Sequence, residues 1–206
     1  MQKILVRCWK TNNPLYIKYH DEEWCVPVHD DRKLFEFLVL ESFQAGLTWE
    51  LILNRRESFR VAFDNFEPKI VADYSDEKVN RLLNNAKIIR NKLKIRSSIN
   101  NSYRVLEIQK EFGSFNDFIW SFVGGKTIHN KFNDLIDLPS YTKESLEMSK
   151  EMKRRGFKFV GPTICYAFMQ AVGLVNDHIL NCFRHKQIME NKGKNNVYND
   201  KQENML

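Results

Sequence analysis

The sequence predicts an all-α fold, and three observations carry that prediction. Apolar residues recur three and four apart along most of the chain, helix start signals stand ahead of those segments, and no alternating apolar and polar runs compete for a sheet. With 206 residues, 43% of them hydrophobic and 28% charged, the chain has material for one folded domain.

The first helix expected is "DRKLFEFLVLESFQAG" (31–46), opened by Asp30 or Asp31 as N-cap. "TWELILNRRESFRVAF" (48–63) follows, then "DEKVNRLLNN" (76–85) behind Ser75, the long "NKLKIRSSINNSYRVLEIQKEF" (91–112), and "SFNDFIWSFV" (114–123), capped by Ser114. Residues 124–142, "GGKTIHNKFNDLIDLPSYT", mix turn formers with scattered hydrophobics and read as a long irregular connection. "ESLEMSKEMKRRG" (144–156) and "PTICYAFMQAVGLVNDHILNCF" (162–183), with Pro162 in its first turn, complete the helices. The polar, Asn- and Lys-rich end, "HKQIMENKGKNNVYNDKQENML", lacks core residues and is expected to be disordered.

No apolar run approaches the roughly 20 residues of a membrane span, and "MQKILVRCWK" is too short in its apolar part for a signal peptide, so a cytoplasmic protein with no membrane partner is expected. The net charge is +6, of which the stretch from Lys186 onward supplies only +1, so the folded part is basic and suits a polyanionic partner. "KIIRNKLKIR" (87–96) has five cations and no acid, and "KEMKRRGFK" (150–158) is a second basic stretch. A solvated helix face reads the same way.

Cys8, Cys25, Cys165 and Cys182 show no short repeated spacing, which favours metal binding or burial over a disulfide framework. Cys8 and His20 lie near one end of the folded part; "HILNC", near the other, holds His178 and Cys182 four apart, on one face if the segment is helical. Two thiolates and two imidazoles make a tetrahedral zinc set that would clasp the chain's two ends together.

Glu41 is the odd residue of the first predicted helix. Leu34, Phe37 and Leu38 precede it at helical spacing and Ala45 follows, so its carboxylate lies on the apolar face and must find a cation or take up a proton. Trp9, Tyr16, Tyr19, Trp24 and Trp49 fall in the same quarter of the chain; such aromatics fill a core, and their faces also suit a flipped cationic nucleobase. "NRLLNNAKIIRNKLKI" (80–95) reads as a helix, a short hairpin around residues 86–89, and a basic helix, an arrangement able to hold phosphate without reading sequence.

"NPLYIKYHDEEWCVP", "LFEFLVLESFQAGLTW", "AKIIRNKLKI", "FIWSFV" and "RGFKFVGPTICYAFMQAVGLVNDHILNC" together resemble the 3-methyladenine DNA glycosylase I family, in order and over nearly all of residues 8–183. The resemblance implies a helix-hairpin-helix DNA repair glycosylase that hydrolyses the N-glycosidic bond of 3-methyladenine in double-stranded DNA, releasing the free base and leaving an abasic site. It implies one structural Zn2+ per chain on Cys8, His20, His178 and Cys182. It makes Glu41 and Tyr19 catalytic, Glu41 by contact with the methylated base, and Tyr16, Trp9, Trp24 and Trp49 the walls of the base pocket. Gly46 and Leu47 would enter the duplex, and Lys87, Ile88 and Arg90 in the hairpin would grip its backbone. The expected organisation is one domain over residues 1–184, two helical lobes sharing a cleft, with a tail over 185–206, acting as a monomer.

The chain departs from the family pattern in places. Ser42 and Phe43 follow the pocket Glu where a more polar run is usual, Cys25 stands where a Gly is usual, and Lys87 takes a hairpin position that is often Gly. A zinc-stapled protein that recognises damage without cutting, its pocket altered by the "SFQ" change, is therefore an alternative, and a catalyst acting on free nucleosides a third.

Overall fold

The computed structural model describes residues 5–190, which are helix-dominated as the periodicity predicts. Helix α1 (Pro14–Glu22) is an addition, since its apolar spacing is irregular. The local signal for it is Asn13–Pro14: the Asn13 side chain accepts the Leu15 N–H at 3.0 Å, and proline needs no helical hydrogen bond in the first turn.

Helix α2 (Asp31–Gln44) is the centre of the molecule. Asp30 caps it, accepting the Lys33 N–H at 2.8 Å, and every residue from Leu34 to Phe43 is buried. A helix enclosed on all sides must be packed from several directions. Those neighbours are α3 (Trp49–Leu53), α7 (Lys92–Phe112), α8 (Phe115–Ser121) and α10 (Pro162–Ala171). The Asp31 carboxylate also accepts the N–H groups of Phe115 and Asn116, at 2.9 and 2.8 Å, and so fixes the start of α8 against the start of α2.

The segment 48–63, expected as one helix, is two: α3, capped by Thr48, and α4 (Arg56–Ala62). The break falls at Asn54, whose side chain leaves the helix axis to accept a hydrogen bond from Asn13 at 3.0 Å. A short 3-10 turn (Asp64–Phe66) and α5 (Pro68–Ala72) follow. Helix α6 (Asp76–Asn84) begins behind Ser75, and α7 behind Asn91, whose side chain accepts the Lys94 N–H at 3.1 Å.

Residues 124–142 are irregular apart from β1 (Ile128–His129) and a 3-10 turn (Leu135–Asp137). β1 pairs in parallel with β2 (Val175–Asn176), a contact too short to leave an alternating signature. After α9 (Lys143–Arg154) comes α10, which ends at Ala171, well before the predicted residue 183. His178 and Cys182 therefore sit on a turn after β2 and share no helix face. The helix stops because Gly173 adopts φ +74°, opening a crossing where Val28 N–H meets Val172 O at 3.0 Å and Ile128 N–H meets Leu174 O at 2.9 Å.

Helix α11 (Phe183–Glu190) carries the first residues of the segment expected to be disordered. It is anchored by the Phe183 N–H on Val6 O at 3.1 Å and by buried Ile188. The rest of that expectation, residues 191–206, lies outside the described residues.

A Cβ on Gly173 would lie 2.4 Å from the Pro27 nitrogen and the Val26 carbonyl carbon, backbone atoms that cannot swing aside. Gly113 also has positive φ, +88°, but with open space around it. Gly173→Ala should therefore cost roughly 2–6 kcal/mol, strain plus overpacking, and Gly113→Ala only about 1 kcal/mol. Urea titrations of both variants measure this, and equal costs would contradict the crossing at Gly173.

Candidate functional site

Cys8, His20, His178 and Cys182 converge from both ends of the described chain, all buried, with their ligand atoms within 4.8 Å of one another. Cys8 Sγ is 3.3 Å and Cys182 Sγ 3.4 Å from His178 Nδ1, and Cys182 Sγ is 3.5 Å from His20 Nε2. The group could hold a metal ion. The other nitrogen of each imidazole already has a partner: His20 Nδ1 lies 2.7 Å from an Asp21 carboxylate oxygen, and His178 Nε2 lies 3.1 Å from the Trp24 carbonyl. Arg7 holds Asp21 in turn, with Nε at 2.9 Å and a terminal nitrogen at 2.7 Å. Partners of this kind fix ring orientation and tautomer around a metal. Asp21 and Arg7 were missed in the sequence, although the pair His20–Asp21 was a readable signal.

The aromatic residues form a continuous wall running from this cluster. Trp9 stands 4.6 Å edge-on from His20, Trp24 4.6 Å from His178, and the two indoles are 4.8 Å apart. Trp9 continues to Tyr16 at 5.1 Å, Tyr16 to Tyr19 at 6.5 Å, and Tyr19 to Trp49 at 5.2 Å. All five expected aromatics therefore come together.

Glu41 projects from α2 beside this wall. Burial pushes its carboxyl up to about 8, with no cation opposing the shift, and its charge in turn adds to the burial that raises the Tyr19 and Tyr16 hydroxyls. Among the described residues no Lys or Arg pairs with Glu41, and its Oε2 is buried without a hydrogen-bond partner. The Trp49 indole N–H, on the same wall, is also buried and unpartnered. Buried polar groups are nearly always satisfied, so an unmet acceptor on Glu41 and an unmet donor on the adjoining aromatic wall stand out as groups that an outside ligand could satisfy. Glu36, on the same helix and equally enclosed, shows the ordinary solution: Arg60 Nε reaches it at 2.8 Å.

The departures at Ser42 and Phe43 do not reach this wall. Ser42 Oγ donates to Leu38 O at 2.8 Å, and Phe43 packs into a cluster with Phe59 and Phe63 at 4.8 and 5.9 Å. Cys25 sits at φ +63°, which explains why glycine suits that position; its thiol is fully buried and pushed well up by burial. Asp177 is enclosed by three donors, Tyr166 OH at 2.6 Å, Gln170 Nε2 at 2.8 Å and Asn130 Nδ2 at 2.6 Å, which leave it no role as a free base.

Gly46 and Leu47 lie exposed in the loop after α2, Gly46 at φ +78°. The loop is held from behind by Lys94, whose ammonium donates to Phe43 O at 2.8 Å and Ala45 O at 2.6 Å. Lys94, one of the five cations of residues 87–96, thus supplies the cation that the last turn of α2 lacks. In the turn between α6 and α7, Lys87 and Arg90 are exposed, while the Ile88 side chain, expected among the DNA contacts, is buried at 2% exposure and anchors the turn. The Lys87 and Ile88 N–H groups are taken up by the side chain and carbonyl of Asn85, at 3.0 and 3.3 Å, so what this turn offers outward is cations.

Comparison with known proteins agrees with this geometry. The sequence model of the family described as methyladenine glycosylase matches residues 9–185. DNA-3-methyladenine glycosylase 1 of Escherichia coli (strain K12) is 48% identical over 177 residues, covering 85% of this chain and 95% of its own. A crystal structure of 3-methyladenine DNA glycosylase I superposes with TM-score 0.84 at 49% identity, over 86% of this chain and 98% of that one. A variant of 3-methyladenine DNA glycosylase I in complex with 3-methyladenine superposes at TM-score 0.81 and 35% identity, over 84% and 92%. With the match spanning the wall, Glu41 and three of the four clustered Cys and His residues, the chain belongs to the methyladenine glycosylase family.

Proposed function

We propose that this protein is a DNA repair glycosylase that hydrolyses the N-glycosidic bond of 3-methyladenine in alkylated double-stranded DNA, releasing the free base and leaving an abasic site. The observation that carries the proposal is the buried Glu41 carboxyl without a cation of its own. In DNA, 3-methyladenine is positively charged and adenine is neutral. A flipped methylated base brings the missing cation, draws Glu41 into its charged form, and lies against the faces of Tyr16, Trp9, Trp24 and Trp49. Neutral adenine leaves Glu41 protonated and gains nothing from it.

The chemistry needs little beyond this. A cationic base departs as a neutral molecule, so no general acid is required, unlike the paired carboxylates of ordinary glycoside hydrolysis. Glu41 and Tyr19 position the base, and the buried carboxylate adds favourable potential to positive charge developing on the sugar as the bond breaks. Water completes the hydrolysis at the sugar.

The Cys and His cluster fits Zn2+. Bonds of about 2.0 Å to nitrogen and 2.3 Å to sulfur in a tetrahedron give N···S edges of about 3.5 Å; three of the four N···S pairs here are at 3.3, 3.4 and 3.5 Å, and all four ligand atoms lie within 4.8 Å of one another. Four protein ligands leave no open position, so the ion would hold the fold together and take no part in the reaction. The α6–turn–α7 unit would act as the helix-hairpin-helix grip, Lys87 and Arg90 contacting phosphates, with Gly46 and Leu47 filling the gap left by the base. One chain, a single domain with two lobes meeting at the pocket and α11 packed on it beyond the expected boundary at residue 184, completes both clasp and pocket. A cytoplasmic monomer suffices for this work. Among the described residues no helix is long and apolar enough to cross a membrane.

Methylated duplex DNA incubated with the protein should yield free 3-methyladenine. Binding without release would favour the non-cutting alternative, and release from nucleosides alone the third reading. For Glu41 the sign follows from linkage. Burial pushes its carboxyl up to about 8 from the ordinary 4.5, so the folded state binds the extra proton and stability falls as pH rises between those two values. Glu41→Gln should therefore stabilise the base-free protein at pH 8 by on the order of a few kcal/mol, seen as a raised melting temperature, and not at pH 4, while slowing excision. A variant less stable at pH 8 would show that Glu41 has a cationic partner.

Chelation should release about one zinc per chain and lower the melting temperature. Freshly purified folded protein without bound metal would refute the clasp. Lys87→Ala and Arg90→Ala should weaken binding to all duplexes alike and each reduce the slope of log affinity against log salt by about one. A change of lesion preference with the slope intact would remove the turn from the DNA interface.

A further inference from the structure

An open groove of about 540 Å³ lies away from Glu41, lined by Leu93, Arg96, Ser97 and Asn100 of α7 and by Lys158 and Phe159. The four α7 residues are spaced three, four and seven apart and form one stripe. The opposite wall, residues 156–160, is a loop pinned from several sides. Asn100 Nδ2 donates to Gly156 O at 2.9 Å, and Asn101 exchanges two hydrogen bonds with Lys158, donating to its carbonyl at 2.9 Å and accepting its N–H at 2.8 Å. Ser149 Oγ donates to Val160 O at 2.6 Å, and Ser42 Oγ lies 3.3 Å from Phe159 O.

Phe159 is held at φ +55°, a conformation that side chains other than glycine rarely adopt. The loop is thus a rigid mount that presents an aromatic ring and an exposed ammonium. No carboxylate lines the groove; Asp76, which pairs with Arg96 at 2.5 Å, is itself exposed, and such a pair yields readily to a stronger anion.

The position of the groove identifies its occupant. Lys94, next to Leu93, bonds the carbonyls of Phe43 and Ala45, where the Gly46–Leu47 loop begins. At the other end of that loop Trp49 faces Tyr19 and the base pocket. The loop is therefore tied to the start of α7, the helix that forms one wall of the groove. A base withdrawn into the pocket leaves its former partner unpaired on the other strand, across the wedge that fills the gap.

We propose that this groove holds the undamaged strand beside the orphaned base, with Lys158 and Arg96 on its phosphates and Phe159 and Leu93 against a nucleotide. The assignment rests on the glycosylase reading and adds a second strand to it.

Full-length protein and its Lys158→Ala, Arg96→Ala and doubly substituted forms can be titrated by fluorescence anisotropy against a duplex with one stable abasic analogue, and against the analogue-bearing strand alone. Both side chains are exposed, so melting temperatures should match the parent. The double variant should bind the duplex about tenfold more weakly near physiological salt, lose about two from its salt slope, and bind the single strand as the parent does. Equal losses on both DNA forms, or no loss on the duplex, would overturn the assignment. Release of 3-methyladenine is scored separately on methylated duplex DNA, so a parent that binds the abasic duplex but releases no base from methylated DNA sinks the glycosylase reading, while the groove stands or falls on the variants.

Discussion

The enclosure of α2 is the constraint on which the site depends. With every residue from Leu34 to Phe43 buried, each polar group on that helix must find its partner within the protein. Glu36 takes Arg60, Ser42 takes the carbonyl of Leu38, and the carbonyls at the helix end take the Lys94 ammonium. Glu41 alone among these groups is left without a countercharge. A charged group in such a place is costly, and in the proposed reaction that cost becomes the source of selectivity, a cationic base supplying the charge that the packing withholds.

The Cys and His cluster and the aromatic wall are one construction. His20 and His178 contact the edges of Trp9 and Trp24, and those indoles begin the wall that ends at Trp49. Whatever fixes the imidazoles fixes the wall. The Arg7–Asp21–His20 chain and the Trp24 carbonyl on His178 support the same geometry from behind, so loss of the clasp would loosen the pocket as well as the termini.

Charge on this protein is sorted by tertiary structure. Of the five cations in residues 87–96, Lys87, Arg90 and Lys92 are exposed, Arg96 meets Asp76, and Lys94 turns inward to hold α2. In the second basic stretch Arg154 and Arg155 are engaged by Glu151, and Arg155 also by Glu111, while Lys150, Lys153 and Lys158 are exposed, Lys158 on its pinned loop. A run of like charges is thus several different devices.

Much was legible in the sequence itself. Apolar spacing and N-cap residues located α2, α6, α7, α8 and α9, because both are local properties of the chain. The odd carboxylate at position 41 and the two Cys–His pairs were visible for the same reason: residue type conflicted with its setting. The rest was decided in three dimensions. The end of α10 at Ala171 was hidden, since apolar periodicity continues through a segment that is buried without being helical. The inward turn of Lys94, the burial of Ile88, and the Asp21–Arg7 support of His20 depend on partners distant in sequence. So does the absence of a cation opposite Glu41 among the described residues: the sequence could say that this carboxylate needs a positive partner, and only the packing around it could show that none of them provides one.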